Sequence, residues 1–172
     1  MKKIVLAVIL TVLAATGAYA LGTDNFKEEV EKEALAVKLA REVVKGGYGI
    51  VTTEELQGIQ KAGEDVLLID TMPFEASYKK GHIPKAKQFA FPIADMNDWD
   101  SKETEGKSLE DFQKLLGADK GKKIIFYCGF VKCTRSHNGA VWAKKLGYTN
   151  VYRHPGGIFA WRGAEYQVET GE

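Results

Sequence analysis

Cys128 and Cys133 lie close together within Lys122 to Gly139, KKIIFYCGFVKCTRSHNG, and are the only 2 cysteines of the 172-residue chain. A thiol is a poor nucleophile until ionised, and with an ordinary pKa near ~8.5 only about 3% is thiolate at neutral pH. Loop amides aimed at the sulfur of Cys128, with a helix beginning just behind it, favour the charged form. A pKa of about 6.5 would ionise roughly three quarters of it. Lys132 and Arg135 add positive charge nearby, so an anionic sulfur compound such as a thiosulfonate or polysulfide is drawn to the same place. Other uses stay open on this local pattern. Cys128 can be a buried structural cysteine, or the pair can form a disulfide in an oxidising compartment. A redox couple of the two is less well supported, because dedicated oxidoreductases space their cysteines more tightly. A cysteine-loop-arginine site also binds phosphate, but the Cys128 to Arg135 interval is one residue longer than in phosphatase loops and no histidine precedes the cysteine.

These residues need a scaffold. Ile124, Ile125, Phe126 and Tyr127 are β-branched or aromatic, follow charge and precede glycine, and so read as a buried strand ending at Cys128. Beyond the loop, Ser136, Ala140, Val141, Ala143 and Leu146, closed by Gly147, fit a helix with a glycine just past its last turn. Strand, cysteine loop and helix is the layout in which open α/β sheets place their chemistry, because loop amides and the helix start converge outside the strand ends.

The remaining pattern supplies the sheet. Thr52 and Glu55 form a capping box for a short helix ended by Gly63. The unbroken run Val66, Leu67, Leu68, Ile69 closes on Asp70 and suits a strand covered on both faces. Gln88 to Phe91 reads as a further strand, and the polar segment from Asp95 to Lys107, without periodicity, as a surface loop. Ser108 caps a helix bearing Leu109, Phe112, Leu115 and Leu116. Val151 and Tyr152 make a last short strand, and Gly156 to Trp161 turns into a final helix. Strands alternating with helices predict a mostly parallel sheet flanked by helices.

The first 20 residues read differently. Lys2 and Lys3 precede a largely apolar run from Ile4 to Ala15, and Ala18-Tyr19-Ala20 has the small-x-small form of a cleavage site, so residues 1–20 are expected to be a signal peptide cut after Ala20. The competing reading, a membrane anchor, needs roughly 20 apolar residues, more than this run offers. Export to the periplasm or the exterior follows, with no membrane anchor left after cleavage. Residues 21–47 then form an amphipathic helical extension, with Phe26, Val30, Leu35, Leu39 and Val43 recurring among Glu and Lys until Gly46-Gly47. Removing the leader takes 2 of the 24 basic residues and none of the 23 acidic ones, leaving 22 against 23. A near-neutral chain without a dense basic patch gives no reason to expect nucleic acid as a partner.

Several separated segments, LLID at 67–70, GHIPKA at 81–86, IIFYC at 124–128, KKLGY at 144–148, NVY at 150–152 and PGGIFAW at 155–161, resemble in that order the rhodanese-like (sulfurtransferase) domain. The resemblance runs from Val51 to Tyr166, and residues 48–172 are assigned to it. It implies a five-stranded α/β domain in which Cys128 attacks a sulfane donor, thiosulfate or polysulfide, holds the outer sulfur as a persulfide and passes it to a thiol acceptor or a partner protein's cysteine. It implies no metal and no organic cofactor. Gly129, Phe130, Val131, Lys132, Cys133, Thr134 and Arg135 would cradle the persulfide with backbone amides. Asp70 matches the aspartate ending the family's early strand, a supporting position beside the loop. His82 belongs to a turn where a structural role is expected.

The chain departs from the family in three places. Thr71-Met72 follow Asp70 where a hydrophobic residue and an arginine are usual, the loop from Cys128 to Arg135 is two residues longer, and Cys133 lies inside it. Phe130 and Val131 give the loop either an apolar mouth or an anchor into the core. Two alternatives to turnover remain: a thiol-disulfide redox protein or sensor using Cys128 and Cys133, and a module that carries sulfur without turning it over.

Overall fold

A computed structural model describes residues 2–171, with side chains described for residues 24–171. The expected signal peptide falls outside the residues whose side chains are described. The chain forms two compact units, residues 1–40 and residues 41–172. Helix α1 (Lys2–Gly46) runs on without interruption through the expected boundary between the leader, residues 1–20, and the extension, residues 21–47. In the first unit Phe26 and Val30 are exposed, and Lys32 pairs with Glu28 at 3.3 Å, one turn apart. Among the described residues no helix is long and apolar enough to cross a membrane.

The second unit is built on five parallel strands in the order β1-β5-β4-β2-β3. They are β1 (Gly49–Ile50), β2 (Val66–Asp70), β3 (Lys87–Gln88), β4 (Lys123–Tyr127) and β5 (Val151–His154). Every pairing is parallel, so the sheet needs helical crossovers and is covered on both faces. The run Ile124 to Tyr127 divides by strand alternation. Ile124 and Phe126 pack with Phe112 of α3 (Leu109–Leu116) and Ala140, Trp142 and Ala143 of α4 (Arg135–Lys145). Ile125 and Tyr127 turn to the opposite face, against Leu56 of α2 (Thr53–Lys61) and Ile158 and Trp161 of α5 (Gly157–Gly163).

The expected capping box at Thr52 forms, and Ser108, expected as a cap, makes a second box with Asp111. Thr52 and Ser108 each accept from the backbone three residues on, while Glu55 and Asp111 return the bond to the cap's own N–H. β1 has no counterpart in the sequence reading, because two residues beside glycines carry no pattern. The expected strand at Gln88 to Phe91 shortens to β3, although Phe89 and Phe91 still donate to the Asp70 and Thr71 carbonyls at 2.9 and 3.2 Å. The segment 95–107 is not simply a surface loop. Met96 and Thr104 are buried, Trp99 joins an aromatic cluster with Phe89, Phe91, Phe112 and Trp142, and a 3-10 turn spans Ser101–Thr104. Isolated aromatics in a polar stretch produce this burial without any periodicity.

Candidate functional site

Cys128 follows the last residue of β4, the middle strand of the sheet, and has no exposed surface. Two elements close over the backbone there. Ile158 and Phe159, at the start of α5, donate their N–H groups to the Cys128 and Gly129 carbonyls, each at 3.0 Å. Gly157 makes this approach possible: its φ is +59°, and a Cβ there would lie 2.2 Å from the Cys128 carbonyl oxygen. The loop then turns, with the Cys133 N–H donating to the Phe130 carbonyl at 2.9 Å, and enters α4 at Arg135.

The Cys128 sulfur touches the Cys133 carbonyl oxygen at 3.3 Å and the Ser136 hydroxyl at 3.2 Å. Behind both stands Arg153 of β5, fully buried. Its Nε donates to Ser136 Oγ at 2.7 Å and its Nη2 to the Cys133 carbonyl at 2.6 Å. Because Arg153 occupies a lone pair of the Ser136 oxygen, the serine proton is free to point at the Cys128 sulfur. Nη1 pairs with the Glu42 carboxylate, and Tyr48 also hydrogen-bonds the guanidinium. Burial works against the charge on Arg153, but Glu42 and Tyr48 more than offset it and hold its pKa above the ordinary value. Tyr48 extends the network to His137 Nδ1 at 2.7 Å.

The two thiols are electrostatically unlike. Burial pushes the Cys128 thiol well up, and the neighbouring Cys133 sulfur adds to this, while the Ser136 hydroxyl and N–H pull the other way. Cys133 is lowered to about 6, first by the Cys128 thiol directed at its sulfur, against the cost of burial, and then by the backbone N–H groups of Arg135 and Gly129 and the Arg135 charge. The loop amides expected at Cys128 therefore converge on Cys133. Burial thus favours the proton on Cys128, and the amides favour the negative charge on Cys133.

The structure gathers Cys128, Cys133 and the Gly129 and Arg135 amides at this centre, with Asp70 near Cys133 and Thr134 buried at the entry to α4. Asp70 is buried; its Oδ1 accepts the Met72 N–H at 2.8 Å, and the Tyr127 hydroxyl bonds the same carboxyl. Burial raises its pKa to about 6, and the Cys133 charge adds to the rise. The Arg135 guanidinium turns away to the Phe91 carbonyl, so this loop residue acts on the sulfurs through its amide and its field. Phe130 is 43% exposed, with its ring 5.3 Å from that of Phe159; it forms an apolar lip. Val131 is half-buried and Lys132 exposed. His82 is stacked on Tyr78, with ring centroids 3.9 Å apart, in the expected structural place.

Arg153, Glu42 and Tyr48 are absent from the sequence reading. Arg153 and His154 did offer a signal, two polar residues continuing an apolar strand, since a charge buried there requires a partner. Among the described residues no group of three His, Cys, Asp or Glu side chains is placed to hold a metal ion.

A family model described as a rhodanese-like domain matches residues 52–164. No curated protein matches. Among solved structures, a Bacillus halodurans protein is 25% identical, covering 78% of this chain and 86% of its own, with a TM-score of 0.51. A thiosulfate sulfurtransferase from Pseudomonas aeruginosa is 21% identical with a TM-score of 0.57, and the match covers 76% of this chain but 22% of that one. A Rhodopseudomonas palustris protein of unknown function, described as a possible tyrosine phosphatase, is 22% identical over 78% of this chain and 93% of its own, with a TM-score of 0.52. The last two likenesses bear on the fold alone, whereas the family model spans most of the chain and includes the cysteine loop with the strands and helices that hold it. This chain belongs to the rhodanese-like domain family.

Proposed function

We propose that this protein is a sulfurtransferase in which Cys128 takes the outer sulfur of a small anionic donor, thiosulfate or polysulfide, and passes it as a persulfide to a thiol. The observation that carries this reading is the convergence of the Ser136 hydroxyl and amide on one cysteine sulfur at the end of the central strand, with the Arg153 charge directly behind. In the resting pair Cys133 carries the negative charge and Cys128 the proton. Transfer of that proton to Cys133 frees the Cys128 thiolate, which Ser136 then stabilises. The thiolate attacks the sulfane sulfur of thiosulfate, the sulfur–sulfur bond breaks, and sulfite leaves with the bonding pair. The product is a Cys128 persulfide anion, and charge balances without a metal or cofactor.

The exposed pair Phe130 and Phe159 gives the entrance an apolar side suited to the cysteine of a partner protein. With residues 1–20 read as a leader, the place of action is the periplasm or the exterior, checked by the amino terminus of the protein recovered from cell fractions. The direct test is intact mass before and after thiosulfate. An initial gain of about 32 Da, absent in Cys128→Ser, is the expected result; turnover retained in that variant would remove the assignment.

A further inference from the structure

The second thiol is too close to Cys128 to be a bystander. Its carbonyl touches the Cys128 sulfur at 3.3 Å, and the Cys128 thiol together with the Gly129 and Arg135 amides favours its own sulfur as an anion. Arg153 fixes it in place through the same carbonyl at 2.6 Å. A persulfide on Cys128 therefore forms within reach of a second sulfur nucleophile that the transfer reaction itself does not require.

We propose that Cys133 resolves the Cys128 persulfide, so that the chain releases the transferred sulfur as sulfide and closes a Cys128–Cys133 disulfide. This rests on the sulfurtransferase reading above. The step balances within the loop. After loading, Cys133 holds the proton it took from Cys128, and the persulfide carries the negative charge. The proton passes to the outer sulfur, the Cys133 thiolate attacks the inner sulfur of Cys128, a new sulfur–sulfur bond forms, and the old one breaks to expel hydrosulfide. The sulfane sulfur is reduced to sulfide and the two thiols are oxidised. Return to the starting state needs an external dithiol, protein or small molecule, which takes up the disulfide by exchange. Attack on the outer sulfur instead would only move the persulfide from one cysteine to the other, conserving it.

Cys128 has no exposed surface and Cys133 has 8%, so the reductant meets the pair from the Cys133 side. The attacking group is also suited to its task. The Gly129 and Arg135 amides remain beside the Cys133 sulfur when Cys128 is a persulfide, and they favour the thiolate that attacks.

The test uses reduced, desalted full-length protein under anaerobic conditions, with thiosulfate as the donor. Thiosulfate cleavage yields sulfite, so sulfide can arise only from the bound sulfur. In the wild type, with no thiol added, about one sulfide per chain is expected to appear together with a mass deficit of about 2 Da, reversed by a dithiol. In Cys133→Ser the adduct of about 32 Da should persist at least tenfold longer, with sulfide only after an external thiol is added. If wild type and variant hold the adduct equally long and neither releases sulfide unaided, the resolving role is overturned and sulfur transfer stands. No adduct and no sulfide in either protein would overturn both readings.

Discussion

The arrangement behind the cysteine loop makes a demand on Glu42 that can be put in numbers. Arg153 is fully buried and Glu42 is 12% exposed at the side chain, and the carboxylate is the anion that balances the guanidinium. Removing one member of a buried pair costs about 3–5 kcal/mol, because the other is left charged and unpaired, whereas replacing both by apolar residues of similar volume is often neutral or better. Glu42→Gln should therefore destabilise by about 3–4 kcal/mol, the lower part of that range because Glu42 retains some solvent, a drop of about 2 M in the urea midpoint. The double variant Glu42→Leu, Arg153→Met loses the charge conflict but also strips donors from Ser136 Oγ and the Cys133 carbonyl. Each acceptor left without a donor costs about 1–3 kcal/mol, but the Cys128 thiol still donates to the Cys133 carbonyl, so only the Ser136 oxygen loses its donor and the double variant should be more stable than Glu42→Gln alone. Its sulfur loading should nonetheless fall by at least about tenfold, since nothing then orients the Ser136 proton toward Cys128. Urea denaturation and thiosulfate-dependent mass gain, read on the same samples, separate the two effects. A double variant as unstable as the sum of its single changes would show that the residues are not coupled and would refute the reasoning.

Three further outcomes follow from the same geometry. Gly157→Ala places a Cβ against the Cys128 and Gly129 backbone in a left-handed conformation, and should cost about 2–4 kcal/mol and most of the activity; an unchanged urea midpoint would contradict the packing. The Cys133 thiolate should titrate in the folded protein with a midpoint of about 6, and in Cys128→Ala move up toward the ordinary cysteine value, because the Cys128 thiol is the largest cause of its lowering. As a depressed acid, Cys133 contributes stability in full above about pH 8.5 and loses it as pH falls through 6. Asp70 has the opposite sign: with its pKa raised from 3.8 to about 6, its contribution is most favourable below about pH 4 and is lost as pH rises through 6. The cost above pH 6 is about 3 kcal/mol, so Asp70→Asn should flatten the urea midpoint between pH 4 and 6; an equally steep slope in the variant would count against the burial argument.

Much of the scaffold was legible because its causes are local. The unbroken IIFY run needs apolar cover on both faces, and the structure supplies α3 and α4 on one side and α2 and α5 on the other. The Thr52 capping box, the Ser108 cap and PGGIFAW are likewise read from neighbours in sequence; in the last, a glycine must occupy the point where α5 meets the cysteine loop. The charge network was not legible. Glu42 lies 111 positions before Arg153, inside a helix otherwise rich in Glu and Lys, so nothing in the spacing marks it out from its solvated neighbours. Nor was the division of labour between the cysteines. Proximity to Lys132 and Arg135 suggested which region would favour a thiolate, but which sulfur ionises depends on where the Gly129 and Arg135 amides point, and the turn from Phe130 to Cys133 sets that. The turn from Phe130 to Cys133 therefore does more than lead into α4. It brings in a second sulfur and gives it the amide donors expected at Cys128, leaving Cys128 to draw on Ser136 and, through it, on an arginine from the next strand. The proposed consequence is chemical: a persulfide on Cys128 would meet its acceptor within the same loop instead of waiting for one from outside.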